Sequence, residues 1–392
     1  MSQTKVQLVS GTTAQDLTVD NINTTSINSG QVSGRKNLII NGAFRIAQRG
    51  TSSTTSGYGS VDRFQCNFSG ADEAMTHTQH TLTSSDTGPY AQGFRKSFHV
   101  QNGNQTSGAG AGDWMRIWHK FEAQDIANSG WDYTSPSSYL TLSFWVKVSV
   151  AQTYYVQLAT QDGTSKMYYF AMTLSANTWT KITHSIPGHA DLTFDNNNEE
   201  GLYIAWYAFR GTNNTGSGEA ANQWNNFNGS ALTPDQTTTW WTTNDSTYEI
   251  TGVQLEKGLT ATDFEHRSFA EELNLCQRYY QQVGSADSGL GGDFPMLPAY
   301  TYLNGLNIAA SFISNTKMRT TPSISEIGNG IRVYGQGTNG DVASIFTIGT
   351  ADDTNVIVFS LNGDGSKDWG DIDHAMVVTN RTGGGMAFES EL

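Results

Sequence analysis

An alternation of apolar and polar residues runs from Tyr139 to Val150 and restricts how this chain can fold. Successive side chains of a β-strand point to opposite faces, so this pattern predicts a long antiparallel strand with one buried face. A helix would scatter the same residues around its axis. The predicted buried face consists of Leu140, Leu142, Phe144, Val146, Val148 and Val150.

Shorter segments of the same kind occur along most of the chain. Glycine, asparagine and aspartate clusters separate them, as expected for many short strands joined by turns. Before residue 267 the further predicted strands are Tyr154 to Leu158, Lys166 to Met172, Gly201 to Phe209 and Tyr248 to Glu256. After residue 282 they are Leu306 to Ile313, Ile331 to Gly335, Val342 to Gly349, Asn355 to Leu361 and His374 to Asn380.

The segment from Ile250 to Gln281 predicts a hinge between two β-rich units. Ser268 precedes Glu271 by three residues, which is the spacing of a helix N-terminal capping box. Phe269, Leu273, Cys276 and Tyr280 then follow at helical spacing, as one apolar stripe on a helix of roughly four turns. The resulting fold class is all-β, with an N-terminal arm (1–34), a jelly-roll β-sandwich (35–266), a linking helix (267–282) and a small C-terminal β-sandwich (283–392). The terminal segment TGGGMAFESEL is expected to be too glycine-rich to order itself.

The first 34 residues are too polar to bury a core of their own. Their apolar residues Leu17, Ile22, Ile27 and Val32 lie five apart, which is neither the strand period nor the helix period. Several parallel copies could each contribute such a row to a shared axis, which would make a thin trimeric stalk or docking arm. A disordered leader is the alternative.

Charge and cysteine content exclude some classes of protein. The net charge of −14 argues against an exposed nucleic-acid groove. Cys66 and Cys276 are the only cysteines and lie far apart in sequence, so two buried free thiols are expected rather than a disulfide framework. The sequence contains no run of 18 or more apolar residues, so no membrane span is predicted. The N-terminal residues lack an apolar secretion segment.

A candidate glycan-binding site comes from the tryptophans. Nine of the ten lie between Trp114 and Trp241, and a sugar-binding face needs exposed aromatic rings beside amide and acid groups. Trp224 and Phe227 stand in a loop rich in asparagine and glycine, and Trp240 and Trp241 follow. The alternative is that most of these rings belong to the core or to an interface between subunits, since aromatic residues dominate buried area.

Signals for catalysis and for metal binding are weak. The sequence contains no Walker loop, no G-x-S-x-G elbow and no HExxH motif. His77 and His80 would point to opposite faces of a strand, and the acidic loop Asn362 to Asp373 lacks the EF-hand order. We therefore expect no cofactor and no catalytic residue, with a structural calcium left as an open alternative. The carboxylates of Asp195 to Glu200 would serve a glycosidase only at a fixed separation across a cleft.

Four segments together resemble bacteriophage tail-fibre and tail-appendage proteins: RKNLIINGAFRIAQRG (Arg35 to Gly50), GYGSVDRFQ (Gly57 to Gln65), the hinge segment described above, and KMRTTPSI (Lys317 to Ile324). The resemblance implies a trimeric fibre with a jelly-roll domain similar to carbohydrate-binding modules. It also implies that Arg45, which stands where such modules often have an acidic calcium ligand, or Arg63 pairs with Asp62 or Glu256.

The function expected from this resemblance is structural, with no enzymatic activity. The protein would be a virion component, assembled in the host cytoplasm, that docks to the tail through its arm and attaches to a host surface glycan or protein by several weak sites acting together. A head-surface fibre or decoration protein and a glycan depolymerase are the two alternatives. The expected partners are further copies of the chain, other virion proteins and the host surface.

Overall fold

A computed structural model describes residues 26–27, 30–31, 36–284, 294–302, 307–314, 316–327, 331–335, 338–350, 356–363, 375–379 and 385–392. Of the four predicted seam residues, Leu17, Ile22 and Val32 lie outside these ranges. Ile27 belongs to a two-residue strand that pairs with Gly30–Gln31. The seam and the number of subunits therefore stay predictions, as do the domain bounds.

Residues 36–284 build a sandwich of two six-stranded antiparallel sheets, which confirms the all-β prediction. The strands up to this point are β1 (Ser26–Ile27), β2 (Gly30–Gln31), β3 (Ser52–Ser53), β4 (Gln65–Ser69), β5 (Thr76–Thr81), β6 (Lys96–Gln101), β7 (Trp114–Glu122), β8 (Tyr139–Val148), β9 (Gln152–Thr160), β10 (Lys166–Leu174), β11 (Thr180–Pro187), β12 (Glu200–Arg210), β13 (Asn225–Asn226), β14 (Thr247–Lys257) and β15 (Tyr280–Gly284). The first sheet has the order β13-β10-β9-β12-β7-β4, and the second has the order β11-β8-β14-β6-β5-β3. The short helices are α1 (Ala123–Ala127) and α2 (Thr239–Thr242), with 3-10 turns at Tyr90–Gln92 and Thr212–Asn214.

The core lies between the two sheets and is built by the alternation that the sequence predicts. The apolar face of β8 is buried from Leu140 to Val148. Trp206 of the first sheet contacts Phe144 of the second, with ring centroids 5.8 Å apart. Both cysteines are free and buried, as expected. No helix within the described ranges has the length and apolarity to cross a membrane.

The predicted linking helix is present but short, as α3 (Phe269–Gln277). Ser268 caps it, because its Oγ accepts a hydrogen bond of 3.2 Å from the Glu271 N–H. Cys276 is buried against the sandwich, whereas Phe269 is 51% exposed. Tyr280 already belongs to β15. The predicted apolar stripe is therefore too long. Phe269 begins the helix but is exposed, and the helix ends before Tyr280.

The C-terminal unit contains the predicted strands, but they close into a barrel and do not form a sandwich. Its members are β16 (Phe294–Tyr302), β17 (Asn307–Ile313), β19 (Ile331–Gly335), β20 (Thr338–Thr350), β21 (Val356–Gly363) and β22 (Ala375–Thr379), in the order β16-β17-β21-β20-β19-β22. Closure removes unpaired edges. It depends on pairing between β16 and β22, which are distant in sequence. Alternation within one strand carries no information about that pairing.

The C-terminal residues are ordered, which corrects the expectation for the glycine-rich tail. β23 (Gly385–Glu389) lies between β15 and β18 (Ser323–Ile327) in a three-stranded sheet. Beyond it, the Glu391 carboxylate pairs with Arg63 and lies 3.3 Å from Arg49 Nη2. Arg63 therefore pairs with neither Asp62 nor Glu256, and Arg45 donates to the Arg267 carbonyl. The end of the chain is thereby fastened to the sandwich.

Asp62 gives this junction a dependence on pH. Burial raises the pKa of its carboxyl to about 6, against the opposing hydrogen bonds from Gln48. Because this value exceeds the unfolded value of about 4, the stability that Asp62 contributes is full below pH 4 and is lost as the pH rises through 6. Gln48 donates its backbone N–H and its side-chain amide to the two oxygens of Asp62, and Asp62→Asn keeps an acceptor for one of them. We expect this variant to have a free energy of unfolding close to that of wild type at pH 4 and about 3 kcal/mol higher than wild type at pH 8. Urea unfolding across this pH range checks the difference, and an offset that is constant with pH would contradict it.

Candidate functional site

Trp240 and Trp241 are core residues, which corrects their prediction as glycan contacts. Both lie on α2 with fully buried side chains. Trp240 Nε1 donates to the Thr247 carbonyl and Trp241 Nε1 to the Gly108 carbonyl, each at 3.0 Å. Neither ring face nor polar atom is left for a ligand.

The two predicted residues of the 211–230 loop differ in exposure. Trp224 is buried against Tyr168 and donates from Nε1 to the Pro187 carbonyl at 2.7 Å, so it anchors the loop and offers no stacking surface. Phe227 is 42% exposed and remains available for contact. The structure therefore does not bring the four predicted aromatic residues together into one site.

A different set of side chains gathers on the first sheet, on the face turned away from the second. The register places Arg116 between Asn67 of β4 and Tyr207 of β12. It also places Trp114 opposite Arg210. We call the following residues the aromatic–basic face: Asn67, Trp114, Arg116, Trp118, Lys120, Tyr207 and Arg210.

Cations on this face lie over aromatic rings. The Arg116 guanidinium is 3.5 Å from the ring centroid of Trp118 and 5.0 Å from that of Trp114. Lys120 Nζ is 4.2 Å from the Trp118 centroid, and the Arg210 guanidinium is 3.9 Å from that of Tyr207. Such contacts stabilise by about 0.5–2 kcal/mol each and hold the long side chains in place.

Part of the sheet beside this face is covered and part is open. Leu232, from the segment that follows β13, packs with Ala205 and Tyr207. The Tyr207 hydroxyl donates to Gln157 Oε1 at 2.8 Å beneath it. The half formed by β4 and β7 lacks such a cover among the described residues, and Trp114, Arg116 and Trp118 are only partly buried there, while the Lys120 side chain is 13% exposed. This half thus carries two indole rings on one strand, and Arg116 and Lys120 lie over the ring of Trp118.

Several buried polar atoms of the face have no hydrogen-bond partner among the described residues. They are Asn67 Oδ1, Arg116 Nε, Trp118 Nε1 and Arg210 Nε. Buried polar groups in folded proteins are nearly always bonded, so a cluster of exceptions in one place needs an explanation. Three of these four atoms are donors, which suits a ligand rich in oxygen acceptors.

The outer face of the second sheet carries a contrasting cluster in which the charges are paired. Lys147 Nζ lies 3.0 Å from carboxylate oxygens of both Asp86 and Glu249, and His80 Nδ1 lies 2.9 Å from Glu249. Burial alone would raise the pKa of Glu249, but the bond from His80 and the charge of Lys147 leave it below the usual value. The pKa of Asp86 is also low, since hydrogen bonds from Thr83 and Trp179 and the Lys147 charge outweigh burial. This network is a structural ion cluster.

The weaker sequence signals do not converge on a centre. His77 is buried and bonded to Ser60, while His80 faces outward, as predicted for a strand. Among the described residues no group of three or more His, Cys, Asp or Glu side chains could hold a metal ion. The acidic loop after Asn362 lies mostly outside the described residues. In the DNNNEEG segment, Glu200 pairs with Lys120 at 2.8 Å and Glu199 lies 3.7 Å from Arg319.

The sequence did contain a signal for the aromatic–basic face. β7 reads WMRIWHKFE, in which Trp114, Arg116, Trp118 and Lys120 alternate with residues whose side chains are all buried. Aromatic and cationic residues on the outward positions of one strand are unusual, because that side of a strand normally carries small polar groups. The high density of tryptophans instead favoured the 211–230 loop as the predicted site.

Comparison with known proteins finds no matching family model and no matching curated protein. Similar solved structures include the enzymatically active domain of tailspike protein 4 from bacteriophage CBA120, at 10% identity and a TM-score of 0.29, over 57% of this chain and 21% of that one. A putative sugar binding protein from Bacteroides thetaiotaomicron matches at 11% identity and a TM-score of 0.28, over 57% of this chain and 100% of that one. The family 11 carbohydrate-binding module of a Clostridium thermocellum cellulosomal cellulase matches at 11% identity and a TM-score of 0.25, over 55% and 98%. The chain thus spans about a fifth of the tailspike domain, and its structural neighbours also include carbohydrate-binding proteins.

Proposed function

We propose that this chain is a non-enzymatic, carbohydrate-binding component of a phage tail appendage, and that it binds sugar through the aromatic–basic face. The observation that carries the proposal is the pair of half-exposed indoles, Trp114 and Trp118, with unpartnered donors beside them. A pyranose ring stacks its C–H face on an indole, and its hydroxyls need hydrogen-bond partners nearby. The Arg116 guanidinium lies 5.0 Å from the ring centroid of Trp114 and 3.5 Å from that of Trp118, so the two rings are close enough to contact one sugar residue or two adjacent ones.

A binding role is favoured over catalysis by the state of the carboxylates. A glycosidase needs two carboxyl groups flanking the bond, one of them kept protonated as the acid. Near the face, Glu200 is occupied by Lys120. On the second sheet, Asp86 and Glu249 share one lysine, and both have lowered pKa values. Release of reducing ends from a host polysaccharide would overturn the non-enzymatic proposal.

The virion assignment rests on the four sequence segments that resemble tail appendages. In such an assembly several copies would present the same weak site, so the overall grip would far exceed that of one site. We propose a homotrimer with the first 34 residues as the docking arm. Co-purification with tails supports this placement, whereas co-purification with capsids favours the head-fibre alternative. Sedimentation with and without residues 1–34 tests the arm.

Replacing Trp118 with alanine tests the site itself. We expect an affinity loss of about 10–100-fold for host surface glycans, since truncating a central aromatic contact typically costs about 1.5–3 kcal/mol. The measurement is biolayer interferometry on immobilised host polysaccharide. The matched control is Trp145→Ala on the second sheet, another half-exposed tryptophan whose Nε1 is already bonded to Gln92. Equal binding by the Trp118 variant and wild type would reject the face as the site.

A further inference from the structure

We propose that the sugar bound by the aromatic–basic face is acidic, and that Arg116 and Arg210 receive its carboxylate. This inference rests on the proposed function and adds the chemical class of the ligand. The features that support it are the two arginines, the groups around them and the overall charge of the chain.

The strongest support for this inference is the environment of the Arg210 side chain. Its residue is 5% exposed, yet its guanidinium makes no hydrogen bond and no ion pair with any described residue. Among the described residues its guanidinium lies over the Tyr207 ring, 3.9 Å from the centroid. A buried charge without a counter-charge is costly, and buried arginines are normally paired with carboxylates. Burial lowers the pKa of the guanidinium, and the charge of Arg116 adds to that effect.

Arg116 is a second positive charge without a counter-charge on the aromatic–basic face. It stands opposite Tyr207 in the register, one row from Arg210. It too forms no hydrogen bond or ion pair with a described residue through its side chain, and its Nε is buried and unpartnered. Two neighbouring guanidinium groups repel each other, so the fold alone gives no reason to hold them together.

The nearby carboxylates already have partners. Glu200 lies 2.8 Å from Lys120 Nζ, which neutralises that lysine and leaves the two arginines unbalanced. Asp113, next to Trp114 in sequence, accepts the backbone N–H of Gly110. Asp235 accepts the hydroxyl of Thr215. Within the described part of the chain, none of these three acids forms an ion pair with Arg116 or Arg210.

The chemistry of arginine selects the ligand group. A guanidinium presents parallel N–H donors in a plane, which match the two oxygens of a carboxylate. A neutral sugar would supply only single hydroxyl acceptors. The chain as a whole carries a net charge of −14, which disfavours acidic ligands everywhere else on its surface. A positive face on such a protein is expected where it meets a negative ligand.

A carboxylate from a second copy of the chain is the competing occupant. The open position of the β4–β7 half beside two half-exposed indoles favours a sugar chain over a packed interface, since a ring-stacking surface serves a pyranose directly. The two occupants differ in one measurable respect: only the interface makes the oligomeric state depend on the arginines.

The test uses the full chain and a glycan array with paired probes. The array carries uronate-containing and sialylated glycans, the methyl esters of the same glycans, neutral glycans and sulfated glycans. The variants are the double change Arg116→Met with Arg210→Met, and the control Arg95→Met, an exposed arginine that directly precedes β6 and lies over the Tyr90 ring. Methionine retains the apolar stem of arginine and removes the charge.

We expect wild type and the Arg95 variant to bind the acids at least about tenfold more tightly than their methyl esters, and the double variant to lose this preference. Equal binding of acids, esters and neutral glycans, lost in Trp118→Ala, would keep the proposed function and overturn this inference. Binding confined to sulfated glycans would overturn the carboxylate assignment. A failure of all glycans to bind would reject both.

Sedimentation and unfolding complete the test. The double variant is expected to keep the sedimentation coefficient of wild type, and a shift to smaller particles with glycan preference intact would assign the arginines to a subunit interface. In the absence of ligand, its urea midpoint should stay close to that of wild type, because removal of unpaired charge offsets the loss of the cation–π contacts. A large fall in the midpoint would mark the arginines as structural and contradict the proposal.

Discussion

Replacing Glu391 with alanine is expected to lower the free energy of unfolding by about 3–5 kcal/mol, although this residue is the second from the end of the chain. Its side chain is 5% exposed and pairs with Arg63, which is completely buried. The Arg63 guanidinium also lies 3.4 Å from the ring centroid of Tyr279. Without Glu391, a buried positive charge would lose its counter-charge, which costs far more than loss of an exposed pair.

Urea unfolding of the Glu391 variant should be compared with that of Glu389→Ala. Glu389 also pairs with Arg49, at 3.2 Å, but its side chain is 41% exposed. We expect this control to lose less than about 1 kcal/mol. Adding Arg63→Met to the Glu391 variant should restore part of the loss, because the unpaired charge is then gone. Equal effects of the two glutamate changes would contradict the role given to the terminal pair.

This fastening also defines how the barrel is attached. β15 ends at Gly284 and β23 begins at Gly385, and the two are neighbours in the three-stranded sheet. The barrel strands lie between them in sequence, and β18, which pairs with β23, returns the chain to the same sheet between β17 and β19. Arg319 strengthens the return, since its Nε donates to the Ser390 carbonyl at 2.7 Å and its Nη1 donates to the Asn198 carbonyl.

Alternation predicted β8, β9, β10, β12, β14 and five of the six barrel strands, because it reports on the local environment of each residue. It did not predict β4, β5, β6, β7 or β11. β8, β12 and β14 were recognisable since one or both of their faces are buried. The order of strands in a sheet and the closure of the barrel depend on pairings between distant segments. β16 was missed because Pro295 and Pro298 normally argue against a strand. The tail was missed because its order comes from Arg63, more than 300 residues away in sequence.

The candidate site was harder to predict because burial of an aromatic ring cannot be read from its neighbours in sequence. The polar context of Trp240 and Trp241 suggested exposure. Their indole N–H groups instead meet backbone carbonyls, which is how a buried tryptophan usually satisfies its polar atom. The two tryptophans of the aromatic–basic face lie on β7, a strand that the sequence analysis did not predict.

Replacing Trp241 with alanine should therefore destabilise the fold and should not act as a binding mutation. The side chain is fully buried, contacts Phe209 with ring centroids 5.3 Å apart, and donates to Gly108. Removing it leaves a cavity as well as an unpaired carbonyl, and large-to-small changes of this kind cost about 3–5 kcal/mol. Urea unfolding monitored by far-ultraviolet circular dichroism measures the loss directly.

Trp118→Ala is the matched comparison, since it removes the same side chain from the aromatic–basic face. We expect no enclosed cavity, because Trp118 is only partly buried, with the long side chains of Arg116 and Lys120 over its ring. We expect a loss of less than about 1 kcal/mol in stability together with the loss of glycan binding. Trp241→Ala, measured where it remains folded, should bind like wild type. A stable Trp241→Ala variant that cannot bind glycan would contradict this prediction. Stability would show that the ring is not part of the core, and the loss of binding would return Trp241 to its predicted role as a glycan contact.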